Sequence, residues 1–191
     1  MKNIDASLMC KNEVKDAVVR HLEKWNTCTA CKIGAWAYKH VHIRGKVPAQ
    51  VLFVGEAPGV SEDMVGAPFI GRAGDLLDAM MKEAGINKHT YAVANALACR
   101  PTDVRGGSNR VPSLYELRHC GPRLQELARL VNPKGVVLLG RTAIQWAHGV
   151  AEGREKLELY HPAYILRLGG SSCPAYAEFV KQLKKFLKGL K

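Results

Sequence analysis

The sequence predicts an α/β protein, a three-layer αβα sandwich around a short, mostly parallel sheet of four strands. Short apolar runs alternate along the chain with longer segments of helical periodicity, which is typical of parallel sheets covered by helices on both faces. The 191 residues, 47% of them hydrophobic, suffice for one full core. We therefore expect a single domain over residues 1–191.

Each predicted strand is a short apolar run bounded by turn-forming residues. The clearest covers residues 50–54, where an uninterrupted apolar run indicates a strand buried on both faces. The other predicted strands cover residues 91–94, 135–139 and 157–160.

The predicted helices repeat apolar residues every three to four positions. The clearest covers residues 73–84, with its apolar side chains on one side and Gly85 as its stop. A basic amphipathic helix, residues 174–190, closes the chain. The remaining helices are predicted at 14–25, 114–130 and 142–148, and the loop-rich stretches at 32–49 and 101–112.

The charge of the chain favours a polyanionic partner. Lys and Arg number 28 against 17 Asp and Glu, a formal net charge of +11. Such a surplus favours nucleic acid first and an anionic membrane surface second. No apolar run reaches the length of a membrane span, and residues 1–5 do not open a secretory signal. We expect a soluble, cytoplasmic protein without a membrane partner.

Four of the six cysteines suggest a metal centre. Cys28 and Cys31 form a C-x-x-C pair, and Cys99 and Cys120 follow far downstream. In an intracellular chain such a set indicates metal or redox chemistry rather than disulfides. An iron–sulfur cluster tolerates one tight pair with two dispersed ligands, whereas zinc more often uses two tight pairs. We place the cluster before zinc, and zinc before unrelated thiols. Cys10 and Cys173 are interpreted as ordinary buried thiols.

Polar residues follow three of the predicted strands and favour a ligand site. Glu56, Asn95 and His161 stand at these ends, and carboxyl ends of parallel strands meet at one ligand-binding rim. The segment 55–74 is longer than a structural turn needs and carries Phe69, which we expect to be exposed. A carboxylate, an amide, an imidazole and an aromatic ring suit a planar heterocycle. Glycine-rich nucleotide motifs and G-x-S-x-G are absent, which disfavours dinucleotide, nucleoside-triphosphate and esterase functions.

A set of short motifs then connects the chain to a known family. They are G-E-A-P-G (55–59), G-x-P-F-I-G-R-A-G (66–74), N-A-L-A-C-R-P (95–101), N-R-x-P (109–112), Cys120 and H-P-A-Y (161–164). In their order and spacing, over about residues 28–167, the chain resembles the family 4, iron–sulfur, uracil-DNA glycosylases. The resemblance implies that superfamily's fold and excision of uracil from single- or double-stranded DNA, the first step of base excision repair. It also implies a 4Fe-4S cluster on Cys28, Cys31, Cys99 and Cys120.

The resemblance implies a role for each pocket residue. Asn95 would read the edge of a flipped-out uracil, Phe69 would stack on its ring, and His161 would bond O2 and stabilise the departing base. Glu56 would lie near C5 and help to exclude the thymine methyl. Ala57 would line the base site where another family has an Asp that orients the attacking water.

Further roles concern the water and the DNA. Glu62 is the candidate for positioning the water or the sugar. The segment 162–167 would enter the DNA, where an apolar side chain fills the space of the flipped base and an arginine contacts phosphate. The predicted DNA contacts are Arg72, Ile165, Leu166 and Arg167.

Simpler interpretations of the same residues stay open. Asn95 is also a residue type that caps the next segment, His161 could be an ordinary turn histidine, Phe69 a core residue and Glu62 a surface acid. Two alternative functions are a glycosylase for another modified base, such as a 5-substituted uracil, and a non-catalytic iron–sulfur DNA-binding module.

One departure from the family pattern is a longer loop at residues 102–108. DNA contacts near this loop are therefore expected to differ from those of the family. We expect a monomer associated with the nucleoid, and the sequence leaves open whether a sliding clamp or another repair protein binds it.

Overall fold

A mostly parallel five-stranded sheet forms the centre of the computed structural model, which describes residues 11–87 and 89–190. In these residues the strands are β1 (Arg44–Gly45), β2 (Val51–Gly55), β3 (Tyr91–Asn95), β4 (Gly135–Leu139) and β5 (Glu155–Leu159). Their order across the sheet is β1-β3-β2-β4-β5. The parallel strands are β2 to β5, and β1 runs antiparallel to β3. The predicted fold class is confirmed, with one strand more than expected.

The additional strand lies inside the segment predicted as a loop. Arg44 and Gly45 pair with Val93 and Ala92 at the outer edge of β3. Two residues are too few to show the alternation by which a strand is predicted.

The register of the central strands decides where the chain leaves the sheet. In the parallel pair β2–β3, Gly55 is the partner of Asn95. Every residue of β2 and of β4 is buried, as expected of strands covered on both faces. The segments that follow these strands therefore emerge at one edge of the sheet.

Helices cover both faces of this sheet. They are α1 (Lys11–Asn26), α2 (Lys32–Trp36), α3 (Val60–Val65), α4 (Arg72–Glu83), α5 (Leu114–Val131), α6 (Gly140–Trp146), α7 (Pro162–Arg167) and α8 (Pro174–Gly189). The long helices agree with prediction to within three residues at each end. The short helices α2, α3 and α7 were not predicted, because five or six residues carry too little periodicity to be recognised.

The core has one main cluster on each side of the sheet. On one side α4 and α8 pack on the strands, with Leu77 and Leu183 fully buried. On the other side α5 contributes Leu127 and α6 contributes Ala143. Complete burial of a leucine contributes about 1.5–3 kcal/mol, so both layers are held mainly by apolar contacts.

Two predictions about the start of the chain, on the signal sequence in residues 1–5 and on Cys10, fall outside the described residues. Among the helices at 11–87 and 89–190, none combines the length and apolar character needed to cross a membrane.

Candidate active site

A cavity of about 410 Å³ opens at the carboxyl ends of the parallel strands. Glu56 follows β2, Asn95 ends β3, Gly140 follows β4 and His161 follows β5, and all of them line the cavity. The structure thus brings together the three polar strand-end residues predicted from the sequence, at the edge where parallel α/β sheets bind ligands.

Asn95 lines this cavity and carries an unpaired acceptor. The residue is 1% exposed, and its Oδ1 is buried without a hydrogen-bond partner among the described residues. Most buried polar atoms are paired, so a bound N–H group would complete this site. The side chain does not serve as the cap of the next helix, since Ser113 is the N-cap of α5.

Phe69 forms one wall of the cavity and belongs to the core as well. It is 6% exposed, which corrects the expectation of an exposed ring. Its ring stacks on that of His161, with centroids 5.5 Å apart and 29° between the planes. Its φ of 55° is unusual for a residue with a side chain. Gly74 permits this turn, because a Cβ there would lie 2.9 Å from Cα of Phe69.

Glu56 is held by a residue that the sequence motifs do not include. The hydroxyl of Thr142, in the first turn of α6, donates to Oε2 of Glu56. Thr142 follows β4 as Asn95 ends β3, so the rule about strand ends could have identified it. The bond fixes the direction of the carboxylate.

His161 lines the cavity as a neutral donor. Its Nδ1 accepts from the N–H of Ala163 at 3.1 Å, so the neutral ring carries its proton on Nε2. Burial, aided by the nearby charge of Arg167, lowers the pKa of His161 to about 4, against the opposite influence of Glu62. At neutral pH the ring is therefore uncharged and can donate from Nε2.

Glu62 lines the cavity, and both of its oxygens are engaged by the backbone. Oε2 accepts from Gly59 N, and Oε1 accepts from Ile70 N and Gly71 N, each at 3.1 Å. These bonds tie the start of α3 to the turn that carries Phe69. Glu62 thus fixes the segment 59–71. The sequence motifs do not indicate these hydrogen bonds.

The predicted DNA contacts divide into surface and buried residues. Arg72 and Arg167 are exposed and Leu166 is partly exposed. Ile165 is 0% exposed and packs in the core. The prediction that Ile165 contacts DNA is therefore wrong. The helix α7, which was not predicted, directs this side chain into the core.

The mouth of the cavity is basic and aromatic. Arg110, Arg141 and Arg167 line it, and the guanidinium of Arg167 lies 5.8 Å from the ring centre of Tyr164. Ala57 also lines the cavity and brings no charge. Arg141 was not singled out from the sequence, although it follows β4 at the same rim as Thr142.

The longer loop is tied to the motif that follows it. Arg110 pairs with Glu116 at 2.5 Å and with Asp103 at 2.8 Å. Arg100 donates to Asn109 Oδ1 and to Gly107 O, each at 2.5 Å. The additional residues are therefore bonded to the rim of the cavity.

The four cysteines predicted as ligands line a second, small cavity. Cys28 and Cys31 lie before and at the start of α2, Cys99 follows β3 and Cys120 lies in α5. Burial, and next the neighbouring Cys120 and Cys31, raise the pKa of the Cys99 thiol. Among the described residues, no group of three or more His, Cys, Asp or Glu is placed so that it could hold a metal ion. Cys173 is a buried thiol apart from this set, as predicted.

Comparison with known proteins identifies a family. The family model "Uracil DNA glycosylase superfamily" matches residues 42–184. A type-4 uracil-DNA glycosylase of Thermotoga maritima is 29% identical over 93% of this chain and 97% of its own length. Those of Pyrobaculum aerophilum and Archaeoglobus fulgidus are 31% and 35% identical, over 85% and 70% of this chain and 89% and 63% of their own lengths.

Proposed function

The chain belongs to the uracil-DNA glycosylase superfamily and, within it, to the type-4 enzymes. From this membership we infer its activity and the role of each residue in the site. It is a uracil-DNA glycosylase: it hydrolyses the N-glycosidic bond of uracil in DNA and so starts base excision repair. Its substrate is DNA, which agrees with the net charge of +11.

Base recognition is assigned to Asn95 and Phe69. The buried, unpaired Oδ1 of Asn95 is the observation that carries this proposal, because N3–H of a flipped uracil is the donor it requires. The amide nitrogen of Asn95 would donate to O4. Cytosine offers the reverse pattern at both positions and would leave buried groups unpaired, at a cost of about 1–3 kcal/mol each. The ring of Phe69 supplies the stacking face.

Bond cleavage is assigned to His161. When the bond between C1′ and N1 breaks, its electron pair leaves with the base, and negative charge develops on O2. The N–H at Nε2 of a neutral His161 would donate to that oxygen, and a preorganised donor of this kind accounts for on the order of 10²–10³ in rate. Water then adds at C1′ and leaves an abasic site.

Selection against thymine is assigned to Glu56. In the orientation set by Thr142, its carboxylate would lie near C5 of the base and exclude a methyl group there. Glu62 is assigned to positioning, because its bonds hold the turn on which Phe69 stands. Ala57 supplies no base for the water, so stabilisation of the departing uracil is the main catalytic term in this proposal.

Contact with DNA is assigned to two arginines of the basic mouth and to Arg72 at the start of α4. Arg72, Arg141 and Arg167 would contact phosphates, and Leu166 would approach the space of the flipped base. Exposed arginines and Tyr164 beside the cavity support this arrangement.

The test of the recognition proposal is N95A on a uracil-containing oligonucleotide. Excision should fall by at least about 100-fold, since several bonds to the base are lost together, while the dissociation constant for DNA changes little. N87A makes the same chemical change at an exposed position and should behave as wild type. Equal losses of binding and excision in N95A would contradict the base-reading role.

We also propose a 4Fe-4S cluster on Cys28, Cys31, Cys99 and Cys120. Four thiols around one cavity are a suitable donor set for a cluster. A cluster is larger than a single metal ion, so its four thiolates lie further apart than the ligands of one ion. The four cysteines come from three segments, namely the Cys28–Cys31 pair, the segment that follows β3 and α5, so the bound cluster would hold these segments together. It supplies structural cross-linking and charge rather than a reactive group.

Iron content tests this second proposal. The purified protein should be brown, with broad absorption in the visible blue and about four irons per chain. C99A and C120A should lose iron, whereas C173A, at a buried thiol outside the set, should retain it. A colourless protein with one zinc per chain would contradict the cluster.

A further inference from the structure

Arg123 is a buried arginine that reaches the back of the base-reading residue. It lies in α5 and is 1% exposed. Its Nη2 donates to the main-chain oxygen of Asn95 at 2.5 Å and to that of Ala96 at 3.2 Å. The guanidinium therefore holds the main chain at the end of β3, at the residue whose side chain lines the large cavity.

The same side chain also lines the cavity of the four cysteines. Its Nε and Nη1 are buried without a hydrogen-bond partner among the described residues. No described carboxylate forms an ion pair with it; Glu126, one turn further along α5, accepts from His21, Lys24 and Trp25 instead.

A guanidinium stays charged in any protein environment, and a buried cation without an anion is strongly unfavourable. The positive charge of Arg123 also disfavours protonation of a nearby histidine. After burial, it is the next largest cause that lowers the pKa of His42. The two unpaired nitrogens, which carry three N–H donors between them, thus call for an anionic acceptor in the cysteine cavity that Arg123 lines. Four thiolates bound to iron and sulfide are such an acceptor, with a net negative charge and sulfur atoms that accept hydrogen bonds.

We propose that Arg123 is a positioning residue that joins the thiolate-bound group to the base-reading amide of Asn95. Through Nε and Nη1 it donates to sulfur atoms of that group, and through Nη2 it holds the main chain of Asn95. This inference rests on the proposed cluster and deepens its part in the enzyme: loading the cysteine cavity orients the pocket as well as fastening its loops. If Arg123 only capped β3, Nε and Nη1 would remain buried without a partner.

The experiment compares R123M and R123K with wild type in the full chain. R123M removes charge and donors with similar length, and R123K keeps the charge but loses the fork of donors. Three quantities are measured: iron per chain with the visible spectrum, the rate of iron release to a chelator, and kcat and KM for uracil excision. R129M is the matched control, because Arg129 is exposed on the same helix.

The expected result for R123M is faster iron release and a lower kcat, each by on the order of 10- to 100-fold as for other outer partners of metal ligands. KM should stay near that of wild type. R123K should release iron at an intermediate rate with a shifted visible band, because charge without fork geometry restores only part of the interaction. R129M should match wild type in every quantity.

Each other outcome has a definite meaning. Unchanged iron release and spectrum in R123K and R123M would overturn the link to the cysteine cavity, and unchanged kcat after faster iron release would overturn the link to Asn95. If R123M fails to fold, R123K decides alone by the same two criteria. Wild-type protein without iron would contradict the proposed cluster itself, and absence of uracil release by wild type would contradict the activity, so these failures remain distinguishable.

Discussion

The ring of Phe69 lies on the ring of His161, with centroids 5.5 Å apart, although 92 positions separate the two residues in the chain. One stands in the turn before α4 and the other at the end of β5, and the sheet brings both to the same cavity. The stacking face and the oxygen-binding donor of the proposed mechanism therefore support each other mechanically. A change that displaces either ring is expected to affect both.

Gly55 offers a way to displace this wall. A Cβ at Gly55 would lie 2.6 Å from Oδ1 of Asn95 and 2.7 Å from Cε2 of Phe69. G55A should therefore shift both groups and reduce the single-turnover rate of excision by on the order of 100-fold, as expected of a displacement of about 1 Å. The overpacking should also reduce the free energy of unfolding by about 1–3 kcal/mol.

A second glycine provides the matched control. Gly189 ends α8, and a Cβ there would meet no atom within 4 Å. G189A should keep the wild-type rate, with an equal or slightly higher melting temperature. A G55A protein with the wild-type rate would show that the contact of Gly55 with Asn95 and Phe69 has no bearing on catalysis.

Glu62 yields a prediction that separates positioning from chemistry. In E62Q one of the two acceptor oxygens becomes an NH₂ group that faces a backbone N–H, which should cost about 1.5–3 kcal/mol of local stability. Excision should fall together with the hydrogen-exchange protection of Gly59, Ile70 and Gly71. E152Q, at an exposed carboxylate, should change neither. A large loss of excision with unchanged protection would instead indicate that Glu62 acts on the attacking water.

Much of this site was predictable from the sequence because parallel sheets impose a strong rule. Strands with continuous apolar runs were recognised, and their carboxyl ends had to meet at one rim. The structure brings Glu56, Asn95 and His161 together, as this rule predicts from the strand positions alone. The four cysteines predicted as ligands likewise line one cavity.

What the sequence could not show depends on contacts made in three dimensions. Ile165 and Leu166 are neighbours of similar character, and only the orientation of α7 buries the first and partly exposes the second. In the sequence, nothing distinguishes Arg123 from the other basic residues of a helix in a basic chain. In the structure it is 1% exposed and lines the cysteine cavity. The rule about strand ends could have placed Thr142 at the rim, but its bond to Glu56 depends on where α6 begins.

Thr142 should control selectivity through Glu56. T142V keeps the shape of the side chain and removes the hydroxyl donor, so the carboxylate that we propose to lie near C5 is no longer fixed. The ratio of excision rates for uracil over 5-methyl-substituted uracil should fall by at least about tenfold, because one bond to a charged group contributes about 1.5–3 kcal/mol. T142S retains the hydroxyl and should restore the wild-type ratio. Equal ratios in T142V and wild type would show that Glu56 does not depend on this bond.

The pH dependence of His161 should differ between catalysis and stability. Because burial lowers its pKa to about 4, the ring stays neutral in the folded protein down to that pH. The single-turnover rate should therefore show no inflection near pH 6.5, where an ordinary histidine titrates, and should fall only as pH approaches 4.

Stability should respond at higher pH than catalysis. Between about pH 6.5 and 4 the unfolded chain binds a proton at His161 that the folded protein does not, so the free energy of unfolding falls as pH is lowered through this window. H161Q cannot titrate, and urea unfolding at pH 7 and pH 5 should show a smaller loss for it than for wild type. H89Q, at an exposed histidine, should keep the wild-type difference. A rate inflection near pH 6.5 that disappears in H161Q would mean that the charged imidazolium forms within the working enzyme, and the neutral-donor mechanism would then be wrong.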